Sequence, residues 1–181
     1  MTLTVVLATL TGCGATTIEA PPSTIDLTEL VRILPTPQGL DESRNVRSVD
    51  AAGLQEALAG VARAESAKVF QDLGFRAGAI RTWSNGDGTT MLVAVSRWPD
   101  RQTATNIGGG AVQRLADTTG AAAWTPRSQA GARGARLAKD SETRMLSLGV
   151  GGVSLFVRGD GPIGGDAGVR TMDLLARPVR A

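Results

Sequence analysis

Hydrophobic and polar positions along this chain switch between a helical and a strand period, and the switches lay out its elements. Leu27, Leu30, Val31 and Leu34 fall on one helical face, and Pro35 and Pro37 close the segment, so a short helix is expected within Ile25 to Leu34. A longer helix is expected over Ala51 to Leu73. Asp50 suits its N-cap, Val49 and Leu54 occupy the two positions of a hydrophobic staple, and Leu54, Leu58 and Val61 follow at helical spacing. Gly74 suits the left-handed residue beyond its end, with Phe75 reaching back to Phe70 in a Schellman stop. Gly60, inside this stretch, costs about 1 kcal/mol relative to alanine, which allows a break near it.

The strand period takes over in Arg76 to Trp83 and Thr89 to Trp98, around the turn residues Asn85, Gly86, Asp87 and Gly88. A loop of two or four residues places Trp83 opposite Thr90, Ile80 opposite Val93 and Phe75 opposite Trp98. Pro99 and Asp100 then open a second helix to about Asp117, with Ile107, Val112 and Leu115 apolar and Gly108 to Gly110 weakening its middle. Short strands are expected near Trp124 and Arg136, and a central hairpin from Met145 to Val150 and Val153 to Arg158. Gly151 and Gly152 make its turn, which pairs Val150 with Val153, Leu148 with Leu155 and Leu146 with Val157. Asp166 is placed to cap a last helix through Leu175, before Pro178 ends it. The order implies an α+β fold: an antiparallel sheet with helices mainly on one face, of ferredoxin-like type or a related sandwich.

Before this domain, an apolar run from Leu3 to Leu10 leads into Leu10, Thr11, Gly12 and Cys13. These four residues resemble a bacterial lipobox, which implies cleavage before Cys13, a diacylglyceryl group on its sulfur and an anchor in the cell membrane, facing the extracellular or periplasmic side. Small residues before the cleaved bond and an accessible thiol are what that processing needs. A buried strand with Cys13 as an inert core thiol is the competing reading, since Thr4 to Leu7 is β-favouring. No Lys or Arg precedes Arg32, so a basic segment is expected upstream of Met1. The organisation expected is therefore a signal peptide over 1–12, a lipidated tether over 13–24, and one α+β domain over 25–181.

Composition narrows the classes. Hydrophobic residues make up 42% and charged ones 20%, near globular values, so neither wholesale disorder nor a membrane bundle is implied. Nineteen basic residues face seventeen acidic ones, for a net charge of +2, and nucleic-acid binding is not implied. The single cysteine leaves no disulfide within the chain.

Candidate chemistry is sparse. There is no histidine and no tyrosine, and Cys13 is consumed by lipid in the lipobox reading. Ser141 with Lys139, and the carboxylates Asp87, Asp140 and Glu142, lie in turns and polar loops, where solvated charge is the ordinary role. Gly159, Gly161 and Gly164 spell G-x-G-x-x-G, but the chain ends too soon for the acidic residue about 20 positions on, so a strand-to-helix loop is expected. No metal or cofactor is expected. Arg127, Arg133, Arg136, Lys139 and Arg144 form a basic stretch, read first as a solvated loop and second as a contact for anionic lipid or glycan.

Leu73, Gly74, Phe75, Gly78, Arg81 and Trp83, with the strand ending Ser96, Arg97, Trp98, are similar to secreted lipoprotein domains of actinobacteria. The resemblance implies a location and no activity. The expected function is that of a non-catalytic envelope lipoprotein binding a ligand or protein partner. A carboxylate-dependent enzyme acting on wall or glycan substrates is the alternative. The binding residues expected are Arg81, Trp83 and Trp98, which the hairpin register places on one Ala-rich face, with Arg81 as polar handle for a sugar, an acyl chain or an apolar side chain.

Overall fold

The computed structural model describes residues 25–43, 45–59, 64–126, 131–136, 144–161 and 164–180. In chain order they form α1 (Leu27–Arg32), β1 (Val46–Val49), α2 (Ala51–Ala59), α3 (Ala64–Asp72), β2 (Ala77–Ser84), β3 (Thr90–Arg97), α4 (Arg101–Thr119), β4 (Ala122–Trp124), β5 (Arg133–Arg136), β6 (Arg144–Val150), β7 (Val153–Asp160) and α5 (Gly164–Arg180). The strands make one seven-stranded sheet in the order β1-β2-β3-β7-β6-β5-β4, and every neighbouring pair is antiparallel. The α+β class therefore stands. The glycine-turn hairpin is central, in the expected register of Val150 with Val153, Leu148 with Leu155 and Leu146 with Val157. Gly151 and Gly152, at φ of 51° and 79°, supply the two left-handed residues that let a two-residue turn follow the strand twist.

The first hairpin is shifted by one residue from its expected register. Trp83 pairs with Met91 rather than Thr90, and Ile80 with Ala94 rather than Val93. The loop has three residues, Gly86 to Gly88, closed by the Asn85 N–H donating to the Thr89 carbonyl at 3.1 Å. Gly88, at φ 88°, is the left-handed residue on which such loops end. Side-chain oxygens of Asn85 and Asp87 both accept from the Thr89 N–H, at 3.0 and 2.9 Å, and hold the loop in that form.

Helices cover both faces of the sheet. On one, Leu30 and Val31 of α1 and Met172 and Leu175 of α5 pack with Trp83, Val93, Val95, Leu155 and Val157. On the other, Leu54 and Leu58 of α2 and Val112 of α4 pack with Ile80, Ala94, Trp98 and Phe156. The expected bare, Ala-rich face does not exist, because α1 and α5 each carry an apolar stripe that has to be buried too.

Local differences have local causes. The expected long helix is two, α2 and α3, and Val61 lies outside the described residues. Asp50 caps α2, accepting from the Gly53 N–H at 2.8 Å. The Schellman stop of α3 forms as expected: Phe75 N–H donates to the Phe70 carbonyl at 3.0 Å and Gly74 N–H to that of Gln71 at 2.9 Å. The glycine triplet does not break α4, which runs for 19 residues. A Cβ on Gly108 would sit 2.8 Å from Ser147 Cβ, and one on Gly149 2.8 Å from Thr105 N, so both glycines let α4 approach β6 closely. Pro178 lies inside α5 instead of ending it, since the carbonyl its missing N–H leaves free belongs to the exposed Leu174. β1, four residues at the sheet edge, is too short to show a period and was not expected.

Gly74 holds φ 81°, and a Cβ there would fall 2.5 Å from Pro99 Cγ. Gly74→Ala is expected to lower unfolding stability by about 1–3 kcal/mol. Gly86→Ala, in open space without a positive φ, changes it by less than about 0.5 kcal/mol. Urea unfolding of both variants checks the contrast.

Candidate functional site

The three residues expected to bind a ligand are structural. Arg81, Trp83 and Trp98 are 7%, 1% and 0% exposed, and they do not share an open concavity. The register shift leaves Arg81 and Trp83 in the core under α1 and α5, while Trp98 lies in the opposite core with Ile80 and Leu54. Arg81 donates from one terminal nitrogen to the carbonyls of Val31, Arg32 and Leu34, at 3.2, 2.8 and 2.8 Å, and from the other to Ser43 at 2.9 Å. It thus closes the C-terminal end of α1, where the helix dipole favours a cation, and holds the following loop. Its guanidinium lies 4.5 Å from the centre of the Trp83 ring. Burial lowers the Arg81 pKa from the ordinary arginine value, and the charge of Glu42 opposes that shift. Trp98 donates its indole N–H to Ser96 Oγ at 2.9 Å and meets the edges of Phe70 and Phe75 at centroid distances of 5.5 and 5.6 Å. It fastens the end of α3 to the sheet.

Other sequence candidates also resolve into local roles. Asp87 sits in the hairpin loop and is held below the usual carboxylate range by hydrogen bonds from Thr89. Asp100 caps α4, and its pKa is lowered chiefly by the backbone N–H of Thr103, at 2.7 Å. The strand-to-helix reading of Gly159 and Gly161 holds: they lie at the end of β7 ahead of α5, in a sheet without parallel pairs. Of the basic stretch, Arg133 falls on the face under α4, whereas Arg136 and Arg144 pair with each other on the opposite face, Arg144 over Trp124. They form no common patch. Cys13 and the tether, together with Arg127, Lys139, Asp140, Ser141 and Glu142, lie outside the described residues.

The cleft that does form was not foreseen. α2 packs on β1 to β3 and α4 on β5 to β7, which leaves a gap between the helices above the middle of the sheet. Leu58, Val69, Phe70 and Leu73 line one wall, and Ile107, Gly110, Ala111 and Arg114 the other. Spacings of three and four put the last four on one face of α4. The cleft continues over Met145 and Arg158, with overlapping volumes of about 270 Å³ at the apolar end and 520 Å³ at the basic end. That is the size class of small-ligand sites, about 300–1,000 Å³. Val69 and Leu73 remain 52% and 44% exposed on its rim, large apolar side chains left in water. Gly110 is the one member of the triplet with open space around it: a Cβ there meets nothing within 4 Å, whereas Gly108 and Gly109 face Ser147 and Arg133. Glycine inside a helix costs about 1 kcal/mol, and at Gly110 packing returns nothing for it. The triplet was the available signal in the sequence, but only the placement of α3 opposite it separates the three glycines.

No protein-family model matches the chain, and no curated protein matches it. Among solved structures it is similar to the extracellular domain of PknH from Mycobacterium tuberculosis, at 11% identity and a TM-score of 0.48, covering 87% of this chain and 93% of that one.

The structural role of Arg81 is open to direct measurement. Arg81→Lys keeps the charge but cannot span four carbonyls, so a loss on the order of 2–3 kcal/mol in urea unfolding is expected. Stability equal to the wild type would contradict that role.

Proposed function

We propose that the chain is an exported, lipid-anchored binding protein without catalytic activity, whose ligand occupies the cleft between α2–α3 and α4. The observation that carries the reading is the cleft itself: apolar walls, exposed Val69 and Leu73 on its rim, and a glycine on the α4 wall whose side-chain position is open space. Carboxylate-dependent catalysis has no foothold there, since the described lining contains neither aspartate nor glutamate. Anchoring rests on the lipobox sequence ending in Cys13. Among the described residues no helix is long and apolar enough to cross a membrane. In this reading the acyl group is what retains the protein.

Two measurements test the two halves. Cys13→Ser is expected to abolish metabolic lipid labelling and release the protein from membranes; an unlabelled wild type that stays on the membrane would contradict the anchor. For the cleft, native mass spectrometry of the protein taken from its own envelope is expected to find a bound species on the wild type and none on Gly110→Leu. That variant is expected to fold at least as stably as the wild type, because leucine is the better helix former. A wild type as bare as the variant removes the cleft reading.

A further inference from the structure

The two ends of the cleft differ in chemistry. At one end Val69, Leu73 and Ile107 present aliphatic surface; at the other stand Arg114 and Arg158. Arg114 is exposed and makes no ion pair among the described residues, and Arg158 is bridged through Nε to Asp160 at 3.0 Å. With no carboxylate in the described lining, the basic end is complementary to negative charge. Apolar surface leading to an unpaired cation matches a molecule that is apolar along its length and anionic at one end. The opposite headgroup charge would meet repulsion at Arg114.

Resting on the cleft reading above, we propose that its occupant is a single-chain amphiphile with an anionic head, of the fatty-acid type. The chain lies between α3 and α4 along Val69, Leu73 and Gly110, where burial removes aliphatic surface from water on both partners. The headgroup meets Arg114, at the end of the cleft that Arg158 also lines.

Calorimetric titration of the full chain carrying Cys13→Ser, free of detergent, tests this with dodecanoate and dodecyltrimethylammonium below their micelle concentrations. Dodecanoate is expected to bind at least about tenfold more tightly than the cation, and Arg114→Gln to remove most of that preference, one charge contact being worth about tenfold. Gly110→Leu and, from the other wall, Val69→Asp are each expected to abolish dodecanoate binding, with thermal unfolding confirming that the variants fold. Equal affinity for both heads, lost in Gly110→Leu, would overturn the anionic headgroup while leaving the cleft as the site. Dodecanoate binding that survives both wall variants would overturn the headgroup and the cleft together. Absence of binding by either chain would overturn the amphiphile, and the species found by native mass spectrometry would then decide the cleft alone.

Discussion

The close approach of α4 to β6 is the constraint from which the rest of this architecture follows. Gly108 on the helix and Gly149 on the strand leave no room for side chains, so the backbones meet with Ser147, Ser154 and Thr105 between them. A helix seated that deeply is fixed in position. α2 is fixed as well, through Leu54 and Leu58 on Ile80 and Ala94, and α3 through the Phe70 and Phe75 edges on Trp98. α2 and α4 are therefore anchored to different strands of the sheet, α3 is held on α2 and by Phe70 on Trp98, and the space between them follows from that packing.

The other face shows how the same sheet is stabilised where no site is needed. A six-residue helix such as α1 is too short to persist alone. Two strand arginines hold it: Arg97 donates to the carbonyl of Ile25 ahead of it, and Arg81 to three carbonyls at and beyond its end. Leu27, Leu30, Val31 and Leu34 then fill the space above Ala79 and Val95. Burying a guanidinium is costly unless its hydrogens are satisfied, and the carbonyls freed at a helix end are acceptors already in need of donors. The terminal nitrogens of both arginines meet those acceptors, while the buried Nε of each has no hydrogen-bond partner among the described residues.

Where one period dominated, the sequence was legible. The apolar face of α1, the Asp50, Asp100 and Gly74 caps, and the register of β6–β7 all follow from signals within a few residues, and all are present in the structure. The register of β2–β3 was not legible, because Asn85-Gly86-Asp87-Gly88 supports loops of more than one length and the choice depends on side-chain hydrogen bonds to Thr89. That single residue of shift moved Trp98 away from Arg81 and Trp83 and so dissolved the expected site. Arginine and tryptophan in one strand look alike whether they meet a ligand or a helix end; only tertiary placement separates the two. The cleft was hidden for the same reason, since its walls come from three helices brought together over the sheet and no contiguous motif records it.

Mapping by amide NMR goes most directly to the central claim, that the accessible site is the α3–α4 cleft and that the Arg81, Trp83 and Trp98 cluster is structural. The isotope-labelled chain is titrated with a mixture of small apolar and anionic fragments, and the perturbed amides are located. The account predicts shifts grouped at Val69, Leu73, Gly110 and Arg114, with Arg81, Trp83 and the Trp98 indole N–H unmoved. Shifts concentrated at Arg81 and Trp83, with α3 and α4 silent, would contradict it.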